Sequence, residues 1–427
     1  MKTYKTLLIL LLATLAPIIC ISQITDISLI SLEMCQIQAR ESYPIIKQLG
    51  LLDKISKERS ISLSKSYLPQ FSINSKATLQ SDITTMYING QPMLLLDKDQ
   101  YSVGAQINQI VWDGGVVSAQ KGLVELNNSL DKSKVEVELY QLREKINQIY
   151  FGILLADKYL SISKSNRALL NASLDKTEAM KKSGVATEGD VNLILIELSK
   201  NNEKYIELSS SKQSLLSVLS LLTNIKFADS VTLEIPKLNQ KELKTAPQSR
   251  PEFLSLDNQK RLIDGQLKLL NTQILPKIGF FIQGGYAKPG LNILQNGWNT
   301  FLIGGVNLSW NFGALYTRKS DKIQILLNKS LVDTQKENFQ LNQNIKNLQI
   351  LANISKLEKL KLESKTVLDL NEKQIIIYKN SLENGTISTL DYIKALTMLE
   401  SAKEAFALRE IEYLSTLIEY RHNNNIH

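Results

Sequence analysis

Residues 68–80 read Leu-Pro-Gln-Phe-Ser-Ile-Asn-Ser-Lys-Ala-Thr-Leu-Gln. Leu68-Pro69 closes a helical run that opens at Tyr43-Pro44, because proline removes a backbone donor and disfavours helix in the residue before it. From Phe71 the period drops to two. Phe71, Ile73, Ser75, Ala77 and Leu79 fall on one side, and Ser72, Asn74, Lys76, Thr78 and Gln80 on the other. A strand of about ten residues with one apolar and one polar or small face has the length and alternation of a membrane β-strand.

Working outward, the same grammar returns three times. Tyr101, Val103, Ala105 and Ile107 alternate with Ser102, Gly104, Gln106 and Asn108. Ile278, Phe280, Ile282, Gly284 and Tyr286 form a third run, and Leu302, Gly304, Val306, Leu308 and Trp310 a fourth. A soluble hairpin on an apolar core would alternate in the same way. What favours a membrane is that each hairpin leads straight into a long helix, with no other element to cover its apolar face.

The chain also repeats itself. Arg250-Pro251 and Leu275-Pro276-Lys277 echo Tyr43-Pro44 and Leu68-Pro69-Gln70 at one offset (251 − 44 = 276 − 69 = 207). Trp310-Asn311-Phe312-Gly313 echoes Trp112-Asp113-Gly114, and Gly385 with Asp391 echoes Gly184 with Asp190 (385 − 184 = 391 − 190 = 201). Landmarks kept in one order at nearly constant offset imply two similar halves about a pseudo-symmetry axis.

Between the landmarks lie unusually long helices. Val116 to Lys182 contains no proline and only Gly122 and Gly152 as glycines. Within it Leu142, Ile146, Ile149, Ile153, Ala156 and Leu160 step by four and three, the heptad rhythm of a coiled-coil seam. Ala119, Leu123, Leu126 and Leu130 keep that rhythm in a shifted phase. One helix of this span is about 100 Å long at 1.5 Å per residue. Ala407, Ile411, Leu414 and Ile418 carry the same step near the C-terminus.

The resulting map is a signal peptide over 1–22, a first repeat over 23–224, a linker over 225–248, a second repeat over 249–420 and a polar tail over 421–427. The first repeat holds helix 31–67, strands 71–80 and 101–112, long helix 116–182 and helix 190–223. The second holds helix 251–275, strands 278–286 and 301–311, long helix 315–382 and helix 390–420. Residues 85–98 and 287–300, with Asn89-Gly90 and Pro289-Gly290, read as loops at the hairpin tips. Lys2 and Lys5, the apolar run Leu7–Leu15 and Cys20-Ile21-Ser22 have the form of an export signal cut after Ser22. Processing as a lipoprotein at Cys20 is the alternative, although Ile19 suits it poorly. Only Cys35 then remains, so no disulfide can form within the mature chain.

The net charge of +8 is spread as Lys among Glu, Ser and Asn along helices. Nucleic-acid binding favours basic residues gathered on one patch, and none is visible. Beyond the N-terminus no apolar run reaches the length of a transmembrane helix. Four strands cannot close a barrel, and an open edge is not tolerated in lipid, so strands that cross a membrane must be shared among several chains.

Two hairpins, each set between a shorter and a longer helix in a duplicated, signal-bearing chain, resemble the TolC family of outer-membrane efflux channels. The resemblance runs from Ser31 to about Tyr420. It rests on Tyr43-Pro44, Leu68-Pro69-Gln70, Trp112-Asp113-Gly114-Gly115 and the Gly-x5-Asp turns Gly184–Asp190 and Gly385–Asp391. It implies a homotrimer whose twelve strands form one β-barrel in the outer membrane, above a coiled-coil helical barrel that crosses the periplasm. It further implies the exit duct of a tripartite efflux or type I secretion-like system, in contact with outer-membrane lipid. The partners would be a periplasmic adaptor (membrane fusion) protein and an inner-membrane pump.

In such a channel Gly184, Asp190, Gly385 and Asp391 would stand at the periplasmic tip, where the tunnel narrows and the adaptor docks. Glycines that end a helix and aspartates that begin one are also explained by the turns alone. Asp391, one from each of three subunits, would make an acidic ring favouring cations, and Lys394 would partly offset it. Family members with described gates carry Arg and Asp where this chain has Ile387 and Lys394, so an ionic latch of that form is missing here. Tyr101, Trp112, Tyr286 and Trp310 are candidates for an interfacial aromatic belt, with ordinary strand packing the other reading. Gly284-Gly285 and Gly304-Gly305 mark a bend or a close approach within strands.

No enzyme signature emerges. His422 and His427 lie in the polar tail, Cys35 reads as an inert thiol on a helix, and the many carboxylates read as solvated helix charges. No catalytic, metal or cofactor site is expected. The rival reading is a periplasmic coiled-coil adaptor or scaffold, which calls for a single hairpin and a Gly- and Val-rich β-domain. A third, an exported enzyme on a helical stalk, lacks the chemistry.

Overall fold

The structure, a computed structural model, describes residues 29–82, 85–228, 231–238 and 250–426. The expected signal peptide, Cys20 and His427 lie outside the described residues. Seven α-helices are described: α1 (Leu32–Ser42), α2 (Lys47–Ser64), α3 (Val116–Lys182), α4 (Glu188–Thr223), α5 (Pro251–Thr272), α6 (Ala314–Glu383) and α7 (Thr389–Asn423). The described strands are β1 (Leu29–Ile30), β2 (Gln70–Leu79), β3 (Thr85–Ile88), β4 (Gln91–Leu95), β5 (Asp99–Trp112), β6 (Thr232–Leu233), β7 (Lys277–Lys288) and β8 (Asn299–Ser309).

The two rods are α3, of 67 residues, and α6, of 70. Beside α3 run α1 and α2 over one part of its length and α4 over the other, while α5 and α7 do the same for α6. The short helices meet nearly end to end. In the first half Ser42 Oγ donates to the Thr223 carbonyl at 3.0 Å, and in the second an Arg250 Nη donates to Asn423 Oδ1 at 3.0 Å. The heptad seam of α3 is the core: Leu142, Ile146, Ile149 and Ile153 are buried with Leu216 and Leu219 of α4 and with Ile411 and Ile418 of α7. Tyr150 ties the centre, donating to the carbonyls of Ile30 and Glu234 that flank the parallel β1–β6 pair. Cys35 is fully buried in this cluster, and burial pushes its thiol pKa up to about 12.

Three local readings are corrected. The segment 31–67 is not one helix: Tyr43 is extended, and a 3-10 turn over Pro44–Ile46 separates α1 from α2. The proline that opens the landmark has no N–H to continue the preceding ladder. Residues 85–98 are not a plain loop but hold the antiparallel β3–β4 hairpin, turned at Asn89 and Gly90, both at positive φ. Asn-Gly is the preferred pair for such a two-residue turn. The polar tail is not a tail, since α7 runs to Asn423 and His422, Asn423 and Asn424 are buried.

The four longer strands make one antiparallel sheet in the order β2-β5-β7-β8. Its centre therefore joins the two halves of the chain through β5 and β7, which leaves β2 and β8 as edges.

Candidate functional site

The sheet register decides what the strands can do. Phe71 stands opposite Ile107, Ile107 opposite Ile282, and Ile282 opposite Gly304. One step along, Ile73, Ala105, Gly284 and Leu302 form the next row. Because side chains alternate strictly, matching registers place all four apolar runs on one face. That face is uncovered by the chain: Ile73 is 69% exposed and Leu302 74%. An apolar surface of this extent calls for an apolar partner, and the two unpaired edges call for further strands.

The opposite face carries Ser72, Asn74, Lys76, Gln106, Asn108 and Gln283, with Phe281 and Phe301 lying over glycines. A Cβ on Gly285 would meet the Val103 carbonyl oxygen at 2.5 Å and the Phe301 ring at 2.9 Å. One on Gly305 would meet the Phe281 ring at 3.1 Å. These glycines make room for rings and for a close neighbouring strand.

The expected belt aromatics separate into two groups. Tyr101 and Tyr286 lie at the end of the sheet far from the rods, and Trp298 lies against both, with centroids 5.9 Å and 5.0 Å away. Sequence alternation does not mark Trp298, because it sits in a loop between strands. Trp112 and Trp310 lie at the other end. Trp112 stands opposite Ile278, and Trp310 packs on Phe312 at 4.7 Å while its indole donates to the Ile274 carbonyl at 2.9 Å. Tyr101 and Trp112 are separated by about 37 Å of strand, or roughly 28 Å along a barrel axis at a tilt of about 40°. This is close to the roughly 25 Å apolar band of outer-membrane barrels, which aromatic girdles bound on both sides.

Between sheet and rod, Asp113 starts α3. Its carboxylate accepts from the amides of Gly115 at 2.9 Å and Val117 at 2.6 Å and from the Tyr67 hydroxyl at 2.8 Å. Burial alone would raise its pKa, but these hydrogen bonds outweigh it and hold the group below the usual carboxylate range. Gly114 and Gly115, at φ +72° and +82°, allow the chain to turn there. In the second half Asn311 accepts from the Gly313 amide at 3.0 Å, a neutral counterpart.

At the far end of the rods Gly184 and Gly385 have φ +78° and +67° and end α3 and α6. Thr187 and Asp190 form a reciprocal capping box at the start of α4. Ser388 caps α7, and its hydroxyl lies 2.6 Å from the Asp391 carboxylate. Both aspartates are held below the ordinary range, Asp190 first by the Thr187 hydroxyl and Asp391 first by the Ser388 hydroxyl. The turns are brought side by side. Leu170 and Ile194 of the first hairpin pack with Leu382, Tyr392, Ile393 and Leu396 of the second, and the Thr389 side chain reaches Asp190. Lys176 pairs with Glu383 at 2.7 Å across α3 and α6. Ile387 joins the apolar packing, and exposed Lys394 acts on Asp391 only through its charge.

Among the described residues no group of three His, Cys, Asp or Glu is placed to hold a metal. No described helix is long and apolar enough to cross a membrane.

No protein-family model and no curated protein matches the sequence. Solved structures do match the fold. The outer membrane protein VceC of Vibrio cholerae aligns with a TM-score of 0.66 at 13% identity, over 92% of this chain and 95% of that one. The outer-membrane channel OprN aligns at 0.68 and 13% identity, over 93% and 90%. The CmeC outer membrane channel of Campylobacter jejuni aligns at 0.65 and 14% identity, over 92% and 85%. The chain, with its two helical hairpins and four-stranded sheet, has the fold of the TolC-like outer-membrane channels.

Proposed function

We propose that this protein is the outer-membrane channel of a tripartite efflux or type I secretion-like system, a passive conduit with no catalytic step of its own. The observation that carries the reading is the in-register apolar face of the β2-β5-β7-β8 sheet, exposed along its length and open at both edges. Three copies would join β2 of one chain to β8 of the next and close a twelve-stranded barrel, satisfying every edge. The rods would then continue the barrel as a helical tunnel through the periplasm, about 100 Å long.

In this assembly the turns with Gly184, Asp190, Gly385 and Asp391 form the periplasmic tip and meet an adaptor, behind which stands an inner-membrane pump. Asp391 and Lys394 set the charge of the aperture. Tyr101 and Tyr286 mark the outer membrane interface, and Trp112 and Trp310 the inner one. The test is to express the chain with its own N-terminal segment, fractionate the cell envelope and measure the mass of the detergent-purified species. A trimer in the outer membrane that conducts ions in planar bilayers is expected. A monomer released without detergent would overturn the reading.

A further inference from the structure

We propose that residues 289–298 form a lipid-anchoring loop that lies on the outer leaflet of the membrane, beside the barrel rather than across its mouth. The proposal rests on the outer-membrane reading above and adds a contact that the strands alone do not supply.

The position of Trp298 carries it. Tyr101 and Tyr286 belong to the apolar face, since Val103 stands opposite Tyr286 and Tyr101 lies two residues away on the same side. Trp298 stacks on both rings, tilted 19° and 21° from their planes. The loop that ends in Trp298 is therefore folded towards the apolar face, not towards the face of Gln106 and Gln283. Its base is pinned there. A Cβ on Gly290 would stand 2.7 Å from that of Asn299, so the two ends of the loop touch. Asn296 accepts from the Asp97 amide at 3.4 Å, and Lys288 pairs with Asp97 at 2.5 Å.

The composition matches that location. Pro289-Gly290-Leu291-Asn292-Ile293-Leu294-Gln295-Asn296-Gly297-Trp298 contains no charged residue. Leu291, Ile293 and Leu294 project into solvent, 59%, 55% and 53% exposed. A water-exposed loop tip is ordinarily polar, and three large aliphatic side chains together call for an apolar partner. The partner is lipid because Trp298 joins the loop to the last aromatics of the lipid face. Aliphatic residues would sit among acyl chains, Trp298 at the boundary, and Asn292, Gln295 and Asn296 at the headgroups. Lys288 stands opposite Tyr101 on that face and pairs with Asp97 and Asp99, a charged group suited to the headgroup level at the base of the loop.

The test places a polarity-sensitive maleimide dye at three positions of the full chain, Ile293→Cys, Leu302→Cys and Tyr87→Cys, leaving buried Cys35 unlabelled. Each protein is reconstituted in phosphatidylcholine vesicles with plain or brominated acyl chains. Leu302, in the middle of the band, reports on the membrane reading itself, and Tyr87 on the other hairpin serves as a water-exposed reference. Expected is quenching of the dye by brominated lipid of at least twofold at 302 and 293 and little at 87. Quenching at 302 with none at 293 overturns the loop proposal and leaves the channel intact, and if 293 is then also shielded from iodide the loop is folded against the protein itself instead of lipid. No quenching at 302 overturns the membrane reading and the loop with it.

Discussion

The phenol ring of Tyr140 lies flat on the imidazole of His422, with centroids 4.2 Å apart and planes 18° from parallel. The Tyr140 hydroxyl donates to the His422 carbonyl, and the guanidinium of Arg250 stands 5.1 Å over the Tyr140 ring and 5.2 Å over that of Phe339. Three distant segments thus meet at one point: the middle of α3, the start of α5 and the end of α7. Asn423 and Asn424 extend the joint by hydrogen bonds to Asn347, and Gln343 donates to the Asn423 carbonyl at 2.9 Å. The junction of the two short helices in the second half is closed by buried polar groups, whereas the first half uses the Ile146 and Leu219 cluster.

His422 makes this joint sensitive to acid. It is 4% exposed with Nδ1 unpartnered, and burial, then repulsion from Arg143, Arg250 and Lys346, pulls its pKa from 6.5 down to about 3. Glu144, 3.9 Å from Nε2, offsets this only in part. The unfolded chain binds the proton first as pH falls, so stability is lost from about pH 6.5 downward, until the folded pKa near 3 is reached. The expected slope from this group is about 1.4 kcal/mol per pH unit. Melting of the purified protein between pH 7.5 and 4.5 measures it. His422→Phe, which keeps a stacking ring without a titrating group, should flatten the dependence, and equal slopes would show that His422 ionises freely in the folded state.

The two classes of glycine predict opposite outcomes. At Gly184 a Cβ would meet nothing within 4 Å, and only the positive φ of +78° opposes a side chain. Gly184→Ala should cost about 1 kcal/mol and leave assembly intact. Gly285→Ala instead drives a methyl to 2.5 Å from the Val103 carbonyl oxygen and 2.8 Å from Gly104 Cα, into the paired backbone of β5, which cannot yield as a side chain could. It should abolish the detergent-stable oligomer seen on native gels, while Gly184→Ala retains it.

Helix periodicity made the rods legible, because Leu142, Ile146, Ile149 and Ile153 repeat a local rule that buries them all. The strands were legible for the same reason. The register that puts Phe71, Ile107 and Ile282 in one row was not, since it depends on pairing between the two halves. Asn89-Gly90 marks a loop and a hairpin equally well in sequence, and only the flanking pairs of β3 and β4 distinguish the two. His422 was hidden by its polar neighbours: its burial is set by Tyr140 and Arg250, far away in sequence. The repeat has one further echo, visible only in the backbone. Asn224 and Asn425, both at positive φ, end the two return helices at the same offset as the glycine turns (425 − 224 = 201).

Cys35 should resist thiol reagents. Its side chain is fully buried, and desolvation lifts the thiol pKa to about 12, so the nucleophilic thiolate is scarce at pH 8. Modification by a maleimide followed by mass spectrometry should be absent over hours in the native protein and complete within minutes in 6 M guanidinium, a denaturing concentration of roughly the size needed for stable proteins. Rapid native labelling would mean that the α1–α3 contact opens readily.

In the proposed channel Asp391 would carry two roles, helix cap and aperture charge, that substitution can separate. Its amide is capped by Ser388 Oγ at 3.2 Å and its carboxylate accepts from that hydroxyl at 2.6 Å, which keeps it ionised and fixes the start of α7. In a trimer three such carboxylates would face one constriction, with Lys394 beside each. Asp391→Asn keeps a hydrogen-bonding side chain and removes the charge, whereas Asp391→Ala removes both, at a capping cost of about 1 kcal/mol. Both should shift the reversal potential in a salt gradient towards lower cation preference, and only Asp391→Ala should lower the melting temperature. Lys394→Gln should move the reversal potential the other way. Unchanged potentials in all three would place the charge of the aperture elsewhere and leave Asp391 as a helix cap alone.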